Sequence, residues 1–351
     1  MKWIVTGGAG FIGCNISKAL LDAGHEVVVL DNLSRRGTQE NLDWLRPQGD
    51  MVFVQQDIRD FDGLRAAILS HADADVVLHL AAQVAVTTSV TNPREDFDIN
   101  ALGTFNLLEA VRQSGSNPII LYASTNKVYG KMENLGFELR DGRYQYTTLP
   151  EGVDEAAPLD FYSPYGCSKG AADQYVRDYA RIYGMRTVVF RQSCIYGIRQ
   201  FGIEDQGWVA WFIIAALLDG PITIYGDGRQ VRDVLFIDDL VRCYLQAVEH
   251  IDRTNGEVYN IGGGPTNQMS LLELLALLET RHDQPTRPRY SDWRPGDQRV
   301  FVADIRKAAQ DFGWRPQISI AAGIDCLCAW VRQEDKLIRS VLSDRLDYPS
   351  R

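Results

Sequence analysis

The segment Tyr165-Gly-Cys-Ser-Lys169 carries the most pointed chemistry in the chain, because it follows a hydroxyl pair, Ser124-Thr125, at the end of an apolar run. If Pro164 opens a helix, Tyr165 and Lys169 stand one turn apart on one face. A nearby ammonium favours the phenolate and draws a tyrosine from about 10 toward neutrality. Such a tyrosine removes a proton from a substrate hydroxyl, while Thr125 hydrogen-bonds the same oxygen and steadies the carbonyl that forms. A Tyr-x-x-x-Lys spacing arises by chance in many helices. Assigning Thr125, Tyr165 and Lys169 as catalytic therefore depends on whether the chain can also hold a hydride acceptor.

It carries the pattern for one. Thr6-Gly7-Gly8-Ala9-Gly10-Phe11-Ile12-Gly13 directly follows the first apolar run and opens a helical one. Gly7, Gly10 and Gly13 permit a tight turn, close approach of a pyrophosphate and close packing of helix on strand, and the helix start at Phe11 and Ile12 supplies N–H groups. Asp31 closes the second apolar run, where a carboxylate accepts both ribose hydroxyls of an adenosine and repels the extra phosphate of NADP. This points to NAD, although Arg35 and Arg36 just beyond could meet a phosphate instead. Asn32, Ser34 and Arg35 complete that corner. Asp57 and Ile58 are placed for adenine, or Asp57 caps the helix before Phe61. Leu80, Ala81 and Ala82 leave room for cofactor ribose and phosphate. Asn100 orders water or cofactor near the site, or serves as a helix cap. Tyr165 and Lys169 belong to the cofactor set as well, the lysine holding the nicotinamide ribose.

The elements that must position these residues alternate. Strand candidates are Trp3 to Thr6, Val27 to Leu30, Met51 to Val54, Val76 to Leu80, Ile119 to Ala123 and Thr187 to Arg191, with amphipathic runs such as Ile16 to Ala23, Phe97 to Gln113 and Lys169 to Tyr183 between them. Short β-branched strands alternating with helices predict an α/β fold, a Rossmann-type doubly wound parallel sheet. Residues 131–160 break the rhythm and predict an excursion lying over a ligand site, or an inert insertion. After residue 195 come helices at Trp208 to Leu218 and Asp238 to Glu249, a turn at Tyr225 to Gly228, a strand at Val258 to Ile261 and a helix from Ser270. The expected division is a mainly NAD-binding domain over 1–190 and a smaller mixed α/β substrate-binding region over 191–351, some of which returns to the main domain.

Composition narrows the class. In 351 residues, 45% hydrophobic and 23% charged, a large packed core is expected and disorder is not. A net charge of −10 without a Lys/Arg tract argues against nucleic acid as a partner. No apolar run approaches the eighteen or so residues needed to span a bilayer, and MKWIVTGGAGFIG reads as a first strand rather than a signal peptide. No membrane association and a cytoplasmic location are expected. The six cysteines are scattered, as reduced core cysteines are, and the Cys326/Cys328 pair lacks the second pair or histidines that a metal site needs, so no metal is expected.

These residues resemble the extended short-chain dehydrogenase/reductase family over nearly the whole chain. The likeness lies in TGGAGFIG at 6–13, Asp31-Asn32, HLAAQ at 79–83, NALGTFNLLEA from Asn100, STNKVYG at 124–130, YGCSK at 165–169 and RDVLFIDDL at 232–240. Within that branch the chain is similar to the CDP-paratose 2-epimerases, also called CDP-tyvelose epimerases. That likeness is carried by DNLSRRGTQENLDWLR at 31–46, AQVAVTTS at 82–89, STNKVYG, SPYGCSKGAADQYVRDYARIYG at 163–184, FGIEDQGWVAWF at 201–212 and WRPGDQRVFVADI at 293–305. The resemblance implies a tightly held NAD that takes hydride from sugar C2, a 2-keto intermediate presented by its other face, and inversion on return. It also implies a CDP-linked sugar as partner, a homo-oligomer (dimer or tetramer), and a place in carbohydrate, including lipopolysaccharide, biosynthesis.

On the sugar side, Arg232 and Arg294 could clamp a diphosphate if a smaller region brings them together, or Arg232 could simply pair with Asp233. Arg199, Gln206 and Gln83 are further candidates for phosphate or sugar contact. Asn126 is a candidate for a sugar hydroxyl, and Lys127 is either near the sugar or solvated. Sugar 4,6-dehydratases of this superfamily usually present Asp-Glu after the threonine, and Asn126-Lys127 do not replace that acid/base pair. His79 reads as a core or cofactor-neighbouring histidine. Trp208, Trp211 and Phe212 line a pocket or form a core stripe. Spacing leaves open C4 epimerisation of a UDP-sugar, 2-epimerisation of an NDP-glucose, and the nucleotide base. A non-catalytic NAD or nucleotide-sugar binding protein would not need the Thr/Tyr/Lys trio.

Overall fold

The computed structural model describes residues 1–283, 285–294 and 297–346. Strands β1 (Lys2–Thr6), β2 (Glu26–Asp31), β3 (Met51–Gln55), β4 (Val76–His79) and β5 (Ile119–Thr125) are connected through helices α1 (Phe11–Asp22), α2 (Thr38–Leu45), α3 (Phe61–Ser70), α4 (Val86–Thr91), α5 (Pro93–Phe97) and α6 (Gly103–Ser114). A hairpin, β6 (Phe137–Arg140) and β7 (Arg143–Tyr146), precedes α7 (Ser163–Tyr183) and β8 (Arg186–Gln192). Then follow β9 (Cys194–Tyr196), α8 (Trp208–Leu217), β10 (Thr223–Tyr225), β11 (Val231–Phe236), α9 (Ile237–Glu249), α10 (Ile251–Thr254), β12 (Val258–Ile261), β13 (Gln268–Ser270), α11 (Leu271–His282), β14 (Arg289–Ser291) and β15 (Val300–Phe301).

Seven strands form one parallel sheet in the order β12-β8-β5-β4-β1-β2-β3. Their alternation explains why both faces are covered. Val5, Val29, Leu78, Leu121 and Phe190 pack into one apolar layer with α1, α8 and α9, while Ile4, Val28, Val77, Ile120 and Val189 pack into the opposite layer with α6 and α7. The strand order reverses between β1 and β4, which opens a crevice at the carboxyl ends of the strands. The predicted α/β doubly wound parallel sheet is the observed one.

The smaller sheet is β13-β11-β15, with β9 also paired to β11, and β10 pairs with β14. Trp211 and Phe212 lie in the core, and Trp208 is half-buried against Phe212 with its indole N–H 3.5 Å from Cys194 Sγ. The core-stripe account therefore holds for the first two.

One expectation is corrected here. The helix over Phe97 to Gln113 is not continuous: a wide π-type turn at Asp98–Leu102 separates α5 from α6. Asn100 occupies that turn, its amide donating to the Gln83 carbonyl at 3.0 Å while its Oδ1 accepts the Gln83 N–H at 2.9 Å. A single wide turn of this kind interrupts the regular ladder of a helix and is frequent at functional sites. The excursion over 131–160 does not line the main crevice. Its hairpin turns toward the smaller sheet, where Tyr146 donates to the Val300 carbonyl at 2.9 Å and Tyr144 to Asp227 at 2.7 Å. Burying these two tyrosines against β15 and the β10–β11 turn draws the segment away from the strand ends.

Candidate active site

The crevice is a cleft of about 560 Å³. Its first wall is the turn into α1. Gly7 has φ +68°, and a Cβ there would stand 2.7 Å from the Ala81 nitrogen; a Cβ on Gly13 would stand 2.2 Å from the Gly7 carbonyl oxygen. Backbone approaches from both sides, so no side chain fits. Gly7, Gly10, Phe11, Ile12 and Gly13 all line the cleft, and α1 has no side-chain cap on its amino end. Open backbone N–H groups at a helix start suit a pyrophosphate.

Asp31, at the end of β2, is buried. Its Oδ2 accepts the Ala9 N–H at 3.0 Å and its Oδ1 the Leu33 N–H at 2.8 Å, so the carboxylate braces the glycine turn as well as facing the cleft. Burial pushes its carboxyl above the ordinary value, against the pull of those bonds and of Arg35. Asn32 donates to Asp57 Oδ2 at 2.8 Å, and Arg59 holds Asp57 through contacts of 3.0 and 2.7 Å. The Arg59 hydrogen bond, ahead of smaller contributions, holds Asp57 down at about 2. The alternative role of Asp57 as a helix cap falls to Asp60, which accepts the Gly63 N–H at the start of α3. Ser34, Ile58, Leu80 and Ala82 lie on the same lining. Arg35 reaches from an exposed loop to the Ala82 carbonyl and the Gln206 side chain, bridging the two sides of the cleft. The glycine cradle, the braced carboxylate and the small strand ends fit an NAD.

At the inner end α7 places Tyr165 and Lys169 on the lining beside Ala123 and Ser124 of β5. The helix start considered at Pro164 is observed one residue earlier, at Ser163. The Tyr165 backbone N–H donates to Ser89 Oγ at 3.1 Å, fixing the helix start against α4. Lys169 Nζ donates to the Ala123 carbonyl at 2.6 Å. Burial pushes the Tyr165 phenol up to about 12; the hydrogen bond with Thr125 and the charge of Arg35 pull it down, and Asp96 pushes it up. The expected lowering by Lys169 is not what is found. The ammonium is turned toward Ala123 and is itself lowered to about 7 by burial, with Asp173 and Asp96 opposing. His79 is fully buried between Thr6 and Thr104 and is held down at about 3, chiefly by burial, as a core histidine would be.

Behind this layer lies a pair that the sequence did not single out. Arg191 of β8 and Asp173 of α7 form a buried ion pair at 3.0 Å, and Asp173 also accepts from Ser124 Oγ at 2.7 Å. It pins strand to helix beneath Thr125. Its members are spread over two elements, so no local pattern signals it.

Other sites named from the sequence are placed differently. Thr125 and Asn126 are buried directly behind the cleft lining, and Asn100 sits behind Gln83. Gln83, Arg199 and Gln206 line the cleft, but Arg199 is engaged by Asn41 at 3.0 Å and the Glu40 carbonyl at 2.8 Å. Arg232 does not pair with Asp233. It donates to Asp297 at 2.6 Å, while Asp233 turns inward to Ser193 and Gly264. Arg294 pairs with Asp205 at 2.7 Å and lies 3.8 Å over the Tyr225 ring. Neither Arg232 nor Arg294 lines the cleft. Lys127 is half-buried, with Gln298 Oε1 at 3.4 Å, rather than solvated. Among the described residues, no cluster of histidine, cysteine or carboxylate side chains could hold a metal ion, and no helix is long and apolar enough to cross a membrane.

Residues 3–262 match the profile of the NAD dependent epimerase/dehydratase family. The chain belongs to that family. It is an enzyme, and its cofactor is NAD. Among relatives, the chain is 48% identical to the CDP-paratose 2-epimerase of Salmonella typhi over 335 residues, covering 94% of this chain and 99% of that protein. It is 33% identical to the UDP-glucose 4-epimerase of Mycolicibacterium smegmatis, covering 92% and 96%. Among solved structures it resembles the UDP-glucose 4-epimerase of Thermotoga maritima with UDP-glucose, with a TM-score of 0.82, 32% identity, and 95% and 99% coverage. It also resembles the UDP-glucuronic acid 4-epimerase of Bacillus cereus with UDP-glucuronic acid and NAD, with a TM-score of 0.81, 30% identity, and 95% and 99% coverage.

Proposed function

We propose that this enzyme is a nucleotide-sugar 2-epimerase that interconverts CDP-paratose and CDP-tyvelose. The observation that carries the reading is the 48% identity, over nearly the full length of both chains, to a CDP-paratose 2-epimerase, joined to Tyr165 and Lys169 on the cleft lining and Thr125 buried directly behind it. NAD, when bound, accepts a hydride from the reacting sugar carbon and returns it. Tyr165 takes the hydroxyl proton and gives it back, Thr125 steadies the oxygen, and Lys169 holds the cofactor ribose. Asn126 and Lys127 follow Thr125, so the acid/base pair for eliminating water is missing and the keto sugar is retained for re-reduction.

Residues 1–190 mainly hold NAD in this reading and residues 191–351 mainly hold the nucleotide sugar. Arg232 and Arg294 exchange their present partners Asp297 and Asp205 for the diphosphate, assisted by Arg199, Gln206 and Gln83. Phe97, Tyr175, Ile182 and Tyr183 are about half or more exposed at α5 and α7, which supports a homo-oligomer. A cytoplasmic location belongs to the same reading.

Proton NMR of the purified enzyme with CDP-paratose in deuterated water, without added NAD, tests the reaction. Inversion at C2 with its hydrogen retained supports the proposal. No change with CDP-paratose, in protein shown to contain NAD, together with inversion at C4 of a UDP-sugar, replaces it with the 4-epimerase reading.

A further inference from the structure

Helices α12 (Arg306–Phe312), α13 (Ile320–Gln333), α14 (Asp335–Val341) and α15 (Ser343–Leu346) follow β15 and carry the described chain back to the cleft. The return is anchored on the smaller region. Ile338, Leu342 and Leu346 are buried, and Leu346 packs so closely on Gly220, just past α8, that a Cβ there would stand 2.7 Å from its Cδ2. Arg339 Nη1 donates to the Leu218 carbonyl at 3.3 Å. Held in this way, α15 meets the loop after β2, where Arg36 donates through both terminal nitrogens to the Asp344 carboxylate, one contact being 2.9 Å. Beside this pair Phe201 packs on Gly37 and, edge to ring, on Trp330 of α13.

Among the described residues, the arginines that line the cleft are Arg35, Arg36, Arg199 and Arg345. All but one are engaged. Arg35 reaches the Ala82 carbonyl and Gln206, Arg36 reaches Asp344, and Arg199 is held by Asn41 and the Glu40 carbonyl. The Arg345 guanidinium donates to no described residue, and the carboxylate of its chain neighbour Asp344 stands 3.6 Å from its Nε. A guanidinium is a planar fork of N–H donors that matches phosphate, so one left open on a cleft wall suits an oxyanion. The glycine turn on the facing wall, Gly7 to Gly13, offers backbone N–H groups and no cationic side chain. A diphosphate seated there carries charge that the turn itself does not neutralise.

We infer that Arg345 is a cofactor-binding residue whose guanidinium takes a phosphate of NAD, and that the Arg36–Asp344 ion pair positions it there. Two diphosphates could use such a group, that of the cofactor and that of the nucleotide sugar. The tether favours the cofactor, because it ties α15 to the loop that leaves β2 directly after Asp31, whose carboxylate faces the cleft at the adenosine end. Side chains of Arg36 and Asp344 are 40% and 54% exposed, and an ion pair so exposed adds little to stability. Its consequence is placement. The Arg36 hydrogen bond holds the Asp344 carboxyl below its ordinary value, so the pair stays charged in neutral solution. NAD is the cofactor whichever sugar carbon reacts, so failure of the C2 assignment leaves the inference standing.

The experiment follows exchange of bound NAD in the holoenzyme, without substrate, for NAD labelled with carbon-13, read by mass spectrometry of the cofactor that stays with the protein. Arg345→Gln is expected to speed exchange by about tenfold or more, since it removes a charge-assisted contact. Asp344→Asn is expected to speed it by less, because the guanidinium remains but is no longer held. Asp335→Asn breaks the ion pair with Arg339 in the adjacent α14 and is expected to leave the rate unchanged. An Arg345→Gln rate equal to that of the parent overturns the inference, as does an equal acceleration in Asp335→Asn, which signals general loosening of the segment. An unchanged rate in Asp344→Asn overturns the positioning role of the ion pair. Calorimetric binding of CDP to the same holoenzymes separates the two diphosphates. Weaker CDP binding in Arg345→Gln with unchanged NAD exchange assigns the arginine to the nucleotide sugar and overturns the cofactor reading.

Discussion

The Nζ of Lys169 lies 4.3 Å from the centroid of the Tyr122 ring, on the strand that ends in Thr125. A buried ammonium over an aromatic face and against one carbonyl is only partly compensated, which accounts for a lysine lowered to about 7. Between that value and the ordinary lysine range the unfolded chain binds a proton at this position that the folded chain does not. Stability without ligands, relative to Lys169→Met, is lowest below about 7 and rises with pH through that window. Denaturant unfolding of both proteins at several pH values measures this. A difference that does not change with pH contradicts it.

Tyr165→Phe removes the hydroxyl proposed to move the proton and leaves the ring packed at the start of α7. The first hydride transfer should fall by about 100-fold or more while NAD stays bound. Single-turnover kinetics alongside cofactor content separates the two effects, and an unchanged rate removes Tyr165 from the mechanism.

Gly13→Ala forces a Cβ to within 2.2 Å of the Gly7 carbonyl oxygen. Since the obstacle is backbone, the turn itself must move, at about 1–3 kcal/mol of stability. NAD should be released during purification. A variant that unfolds like the parent and retains its NAD shows that the turn is less constrained than it looks.

Arg294→Met cuts the contact with the exposed Asp205 and the stack on the half-buried Tyr225. If Arg294 turns to a diphosphate, KM for the nucleotide sugar should rise by about tenfold or more with little change in kcat. Equal KM values for variant and parent would confine Arg294 to a structural role.

The alternation of apolar strands and amphipathic helices, the glycine turn and the Tyr165/Lys169 spacing are local patterns. They arise from side-chain periodicity and backbone freedom, and were sufficient to predict the parallel sheet, at whose strand ends the glycine turn and Tyr165/Lys169 line one crevice. The strand candidates nearly coincide with the observed strands, including Val258 to Ile261, which joins the main sheet beside β8.

What only the tertiary structure decided depends on contacts between distant segments. Arg232 meets Asp297 rather than its neighbour Asp233 because β11 sends adjacent side chains to opposite faces. Residues 131–160 leave the cleft because Tyr144 and Tyr146 find partners at Asp227 and Val300. The phenol of Tyr165 is raised, not lowered, because burial outweighs the charges around it. Asp96 points inward because Ser168, Gln83 and Asn100 converge on it from three parts of the chain. Sequence spacing specifies which residues can share a face, but burial and partnership are set by how the elements pack.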